Sequence, residues 1–82
     1  MTIRETILGQ FRLVAEQQKR TLEPLSDDLR LMASGLDSLC IAIIVANLED
    51  ELGVDPFFEK QNTMETPDTL GEFIQLYENA RA

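Results

Sequence analysis

The chain has 82 residues, no histidine, no tryptophan, one cysteine and a formal net charge of −8. A domain of that size buries roughly 60–70% of its unfolded surface, leaving little mass for a lined substrate pocket plus a catalytic apparatus, and without histidine it lacks the commonest general base and metal ligand. The acid excess aids solubility, repels nucleic-acid phosphates and attracts basic protein surfaces, while a lone cysteine rules out an internal disulfide and suits a reducing compartment.

The charge is unevenly spread. Residues 1–20 carry Arg4, Arg12, Lys19 and Arg20 against Glu5 and Glu16, a net of +2; residues 21–82 carry Arg30, Lys60 and Arg81 against thirteen carboxylates, a net of −10. No basic stretch followed by an apolar core and a cleavage site opens the chain, and no apolar run is long enough to span a bilayer. A cytoplasmic protein without signal peptide or membrane segment is expected.

Thr2 and Glu5 stand at capping-box spacing. After them Ile3, Ile7, Leu8, Phe11, Val14 and Ala15 recur at steps of three and four, which predicts an amphipathic helix over 3–18. Residues 19–36 form a long connection broken by Pro24, Ser26, Asp27, Asp28, Ser34 and Gly35. Its Leu22, Leu25, Leu29 and Met32 are expected to tuck back onto the helices, with a short helical turn at 29–32. A loop of this length in a small domain has a function or packs well.

The stretch Gly35-Leu36-Asp37-Ser38-Leu39 follows. Asp37 suits an N-cap, its carboxylate accepting from amides two or three residues on. Ser38 then falls on the first helical residue with its hydroxyl outward, and a phosphate ester there would lie beside unpaired amides at the positive end of the helix dipole. The second helix is predicted over 38–52, with Gly53 as its stop. Ile41, Ile44, Val45, Leu48 and Leu52 fit a core face; Leu39, Ile43 and Ala46 widen the apolar arc, as in a helix that is central to the core and also meets a partner. Glu49, Asp50 and Glu51 sit at the unfavourable end of the dipole, with no base three or four positions away to offset them. They read equally well as a solvated face or as a docking surface for basic patches.

Asp55 and Pro56 predict a short helix at 56–61, with Phe57 or Phe58 plugging the core. Thr66 as cap and Pro67 at the first position predict a last helix over 67–80, burying Leu70, Phe73, Ile74 and Tyr77 with the Tyr77 hydroxyl left at the surface.

Asp37-Ser38-Leu39 at the head of a helix resembles the prosthetic-group site of acyl and peptidyl (aminoacyl) carrier proteins, and the resemblance covers nearly the whole chain. It implies an all-α four-helix carrier bundle (three main helices, one short third helix, a long first loop) as a single domain over 1–82. It also implies 4'-phosphopantetheine attached to Ser38 through a phosphodiester, its thiol carrying cargo as a thioester. Gly35, Asp37 and Leu39 would form the surroundings recognised by the phosphopantetheinyl transferase. The chain departs from fatty-acid carriers, which place acids shortly after the serine on the exposed side of the second helix; here Cys40 and Ile43 stand there. Leu52-Gly53-Val54 resembles peptidyl carriers instead.

The expected function is therefore a monomeric, non-enzymatic, specialised carrier, aminoacyl or for a secondary pathway. Its partners are a transferase, an acyl- or aminoacyl-activating ligase and downstream acyl-processing enzymes. Leu39, Ile43, Glu49, Asp50 and Glu51 would set partner choice, so that Ile43→Glu would weaken loading without unfolding the domain. Serine nucleophilic catalysis lacks a partner base, and no metal site is expected, since the acidic pairs lack a calcium loop's alternating ligands. Cys40 reads as a small buried hydrophobe, the alternative being a reactive thiol near a helix start. The rival from another class is a non-catalytic acidic helical adaptor for a basic protein, in which Ser38→Ala would be silent.

Overall fold

The computed structural model describes residues 2–53 and 67–81. Among them it is helical: α1 (Ile3–Gln17), a 3-10 turn (Leu31–Ala33), α2 (Ser38–Leu52) and α3 (Leu70–Arg81), with no strand beyond one isolated antiparallel bridge between Arg30 and Thr69. The short helix expected at 56–61, with Phe57 and Phe58, lies outside the described residues, as does Thr66.

Local chemistry sets the helix ends. Thr2 and Glu5 form the expected box: the Glu5 amide donates to Thr2 Oγ1 (3.1 Å) and the Thr2 amide to Glu5 Oε1 (2.9 Å). At the other end of α1 the Lys19 amide donates to the Glu16 carbonyl (3.2 Å) and the Arg20 amide to the Ala15 carbonyl (2.8 Å). This pairing requires a left-handed residue between them. Lys19 supplies it at φ 56°, a conformation that costs a non-glycine residue about 1–2 kcal/mol. Gly53, at φ 72°, closes α2 with its amide on the Glu49 carbonyl (2.8 Å).

The last helix begins later than Thr66-Pro67 suggests. Pro67 is not helical, and α3 starts at Leu70. Thr69 and Glu72 repeat the box of α1: the Glu72 amide donates to Thr69 Oγ1 (3.2 Å), and Glu72 Oε1 accepts from the Thr69 and Asp68 amides (3.1 and 3.0 Å). The delay has a tertiary cause. Asp68 and Leu70 are bonded to the first loop, with the Leu31 amide on the Asp68 carbonyl (2.9 Å) and the Leu70 amide on the Leu29 carbonyl (2.8 Å).

That loop is tied down along its length. Arg4 grips Asp27 through both carboxylate oxygens (2.7 and 3.1 Å), the Gly71 amide reaches the Asp27 carbonyl (3.0 Å), and Leu31 and Leu36 are buried. Leu22 and Leu25 pack against the core as expected, whereas Met32, on the outer side of the 3-10 turn, is 66% exposed.

The core joins Ile7, Phe11, Val14 and Ala15 of α1 to Cys40, Ile44 and Leu48 of α2 and to Leu70, Phe73, Ile74 and Tyr77 of α3. Phe11 meets Phe73 edge-on (centroids 5.7 Å apart) and Phe73 leans on Tyr77 (5.2 Å), and Asn47 Nδ2 donates to Gln10 Oε1 (3.0 Å) across α1 and α2. Two expectations are corrected. The Tyr77 side chain is wholly buried, hydroxyl included, because its turn of α3 faces Phe73 and the middle of the core. The fully buried stripe of α2 is Cys40, Ile44 and Leu48, whereas Ile41, Val45 and Leu52 are half-buried at its flanks.

Candidate functional site

The approach to α2 is fastened by hydrogen bonds before it reaches Ser38. Ser34 is fully buried; its hydroxyl donates to the Leu31 carbonyl (2.6 Å) and accepts from the Leu36 amide (3.4 Å), and its carbonyl accepts from the Glu23 amide (2.8 Å). Gly35 follows at φ 102°, where a Cβ would lie 2.0 Å from the Thr21 carbonyl oxygen. Leu36 then anchors in the core, and Asp37 takes the extended conformation of an N-cap.

Asp37 uses both carboxylate oxygens. Oδ1 accepts from the Cys40 amide (2.9 Å), and Oδ2 accepts from Arg20 Nη2 (2.7 Å). The Cys40 amide first, and then the charge on Arg20, hold its carboxyl below the ordinary carboxylate range. Ser38 is the first residue of α2 and is exposed. The chain has three serines, and only Ser38 is both exposed and at the head of a helix: Ser34 is locked inside, and Ser26 lies in the connection.

Helical spacing sorts the residues below Ser38 into stripes. Ser38, Ala42, Val45 and Glu49 share one. Leu39, Ile43, Ala46 and Asp50 share the next, with Leu39 65% exposed and Ile43 half-buried. Glu51 continues the line of Cys40, Ile44 and Leu48 past the end of the core. A cavity of about 430 Å³ opens beside the Ser38 stripe, lined by Leu31, Met32, Ile41, Ala42, Val45 and Phe73, with Pro67 and Asp68 at its side.

A family model described as a phosphopantetheine attachment site matches residues 11–74. The chain belongs to the phosphopantetheine-binding carrier family. No curated protein and no solved structure matched it. Carrier proteins of this family bear a covalently attached 4'-phosphopantetheine and are served by phosphopantetheinyl transferases and acyl-processing enzymes. The residues at the start of α2 fit such a group: an exposed hydroxyl, first-turn amides that a helix leaves without internal partners, and a guanidinium on the neighbouring carboxylate.

In this carrier protein the residues singled out in the sequence do not form one surface. Ser38 and Leu39 are exposed together at the top of α2. Ile43 packs partly on the core. Glu49, Asp50 and Glu51 are exposed but face three directions at the far end, about 16–20 Å along the axis from Ser38. Gly35 has a backbone duty at a tight crossing, and Cys40 is a buried free thiol. No group of three or more metal-binding side chains occurs among the described residues, and no described helix is long and apolar enough to cross a membrane. Sequence reasoning missed Arg20 as the partner of Asp37, since the pair is separated by seventeen residues, and missed the cavity, whose far wall comes from the loop. Arg20 did stand out in the basic N-terminal segment, but nothing local connects it to Asp37.

The low carboxyl values give a pH prediction. Glu5 is held down by the Thr2 amide, Asp27 by hydrogen bonds from Arg4, Asp37 by the Cys40 amide, and Glu72 by the Asp68 and Thr69 amides. A value lower in the folded than in the unfolded chain means that the unfolded chain binds protons more readily. The stability these groups contribute is thus present above the ordinary values of 3.8 and 4.5. It is lost as pH falls through the lowered ones. The urea midpoint should fall steeply below about pH 4, and less steeply in Asp27→Asn than in the parent chain.

Proposed function

We propose that Ser38 carries the phosphopantetheine arm and that residues 1–82 act as one cytoplasmic, monomeric, non-catalytic carrier domain of a specialised kind, aminoacyl or secondary-pathway. The observation that carries the attachment is the exposed Ser38 hydroxyl at the first position of α2, inside the segment that matches the family. When bound, the arm supplies the thiol on which cargo rides as a thioester. The protein supplies position and recognition, and tethering holds the cargo near partner sites at effective concentrations commonly in the millimolar range.

Leu39 is exposed and Ile43 half-buried, so the first turns of α2 present apolar rather than acidic side chains to a partner; Cys40, expected beside Ile43 on that exposed side, is buried in the core and takes no part. Gly35, Asp37 and Leu39 shape the approach of the transferase. Leu39 and Ile43 select the ligase at the first turns, and Glu49, Asp50 and Glu51, facing three directions at the far end of α2, act as separate contacts for its basic groups.

The test loads the arm-bearing chain with an amino-acid-adenylating enzyme and, separately, with a fatty-acyl ligase, and follows thioester formation by intact mass. Faster aminoacyl loading supports the reading; exclusive fatty-acyl loading contradicts it. Leu39→Glu is expected to lower ligase kcat/KM about tenfold, the equivalent of roughly 1.4 kcal/mol, without altering the urea midpoint. Ile43→Glu is expected to weaken loading too, but it also costs stability because Ile43 packs against the core. Unchanged loading by Leu39→Glu would remove this residue from the partner surface.

A further inference from the structure

Esterification of Ser38 would put a phosphodiester anion next to the Asp37 carboxylate, in a segment whose net charge over residues 21–82 is already −10. Like charges on adjacent residues repel, and a cation between them offsets that repulsion. Arg20 already pairs with the Asp37 carboxylate. Its Nη2 lies 2.7 Å from Asp37 Oδ2, and its side chain remains 46% exposed. One contact uses one of a guanidinium's five N–H donors, and the planar fork suits phosphate oxygens as well as carboxylate.

Two further features hold Arg20 there. The chain turns at Lys19 through a left-handed conformation that a non-glycine residue seldom adopts, and the Arg20 amide is fixed on the Ala15 carbonyl (2.8 Å). Asp37 gives one oxygen to the helix cap and the other to Arg20, so the guanidinium is held on the cap residue itself, one position before the serine.

We propose that Arg20 is a positioning residue for the arm, presenting its remaining N–H groups to the phosphodiester on Ser38 while it neutralises Asp37. The inference rests on Ser38 being the attachment point. Arg20 then sets the direction in which the arm leaves the protein and offsets the charge that modification adds.

The experiment is a cycle between Arg20 and the modification. Parent, Arg20→Gln and Arg20→Lys chains are each prepared without the arm and with it, using coenzyme A and a broad-specificity transferase, with intact mass confirming conversion. Thermal midpoints of all six forms and phosphorus-31 spectra of the three modified forms are recorded at low salt. Arg20→Gln is expected to lower the midpoint by about 2–4 °C more in the modified than in the unmodified form, and to move the phosphodiester resonance. Arg20→Lys should recover part of the midpoint but not the resonance, since lysine keeps the charge and loses the fork. About 1 M salt should erase the midpoint difference. Equal losses with and without the arm, and a resonance that does not move, would overturn the inference and reduce Arg20 to a loop fastener. A parent chain that takes up no arm would instead overturn the attachment reading, and this inference with it.

Discussion

Gly35→Ala is expected to destabilise the protein by at least about 2 kcal/mol, the largest effect of any single methyl group that can be added near the site. Two causes act together. At φ 102° the backbone occupies a region that residues with a Cβ rarely adopt, and the new carbon would lie 2.0 Å from the Thr21 carbonyl oxygen. The obstacle is backbone, not the end of a flexible side chain, so relief requires the two stretches of loop to separate. They are joined at the same place by the Glu23 amide on the Ser34 carbonyl (2.8 Å), and the buried Ser34 hydroxyl fastens the second stretch to itself at Leu31 and Leu36. The strain would therefore spread to Leu36, the core anchor one residue before the cap of α2.

A domain of this length has a total stability on the order of 4–12 kcal/mol, so the loss is a large fraction of the whole. Urea unfolding of the two chains measures it. Gly53→Ala is the control: it has a positive φ of 72° with open space around it, so it carries the conformational cost without the collision and should lose less. Equal losses at the two positions would mean that the crossing with Thr21 is not a tight one. Gly35 is thus required for the fold to deliver Ser38, whether or not the transferase touches it.

Punctuation was legible in this sequence where it is local. Thr2 with Glu5, Asp37 before Ser38, and Gly53 after Leu52 each act on neighbours within four residues, so α1 starts, and α2 starts and stops, where those residues put them; the left-handed turn at Lys19 that ends α1 went unread. The buried stripe of the last helix, Leu70, Phe73, Ile74 and Tyr77, was equally plain from its spacing. Periodicity gives the side of a helix and not the depth at which a side chain sits, which is why the Tyr77 hydroxyl was expected outside. At the start of α3 Thr66-Pro67 suggested the start, and the box that forms, Thr69 with Glu72 at the same spacing as Thr2 with Glu5, went unread. The choice is made by bonds from Leu29 and Leu31 of the first loop, some forty residues earlier in the chain. Arg20 on Asp37 and the cavity wall at Leu31 and Met32 are hidden for the same reason: both join segments that share no local pattern. The serine could be found because its cap, its position on the helix and the motif Asp37-Ser38-Leu39 all lie within a few residues of it.

Ser38→Ala is expected to abolish attachment outright. In the proposed reading the Ser38 hydroxyl is the group esterified, and neither of the other two serines offers an equivalent: Ser34 is fully buried and doubly bonded, and Ser26 is in the connection away from any helix start. The fold should survive, since Ser38 is exposed and the cap bond to the Cys40 amide comes from Asp37. The deciding measurement is peptide mapping of the parent chain after co-expression with a competent phosphopantetheinyl transferase, with Ser38→Ala alongside. The account predicts one phosphopantetheine per chain, on the peptide that contains Ser38, and none on the variant. A parent chain that stays at its unmodified mass, or an arm found on Ser26 or on the Ser38→Ala chain, would contradict it.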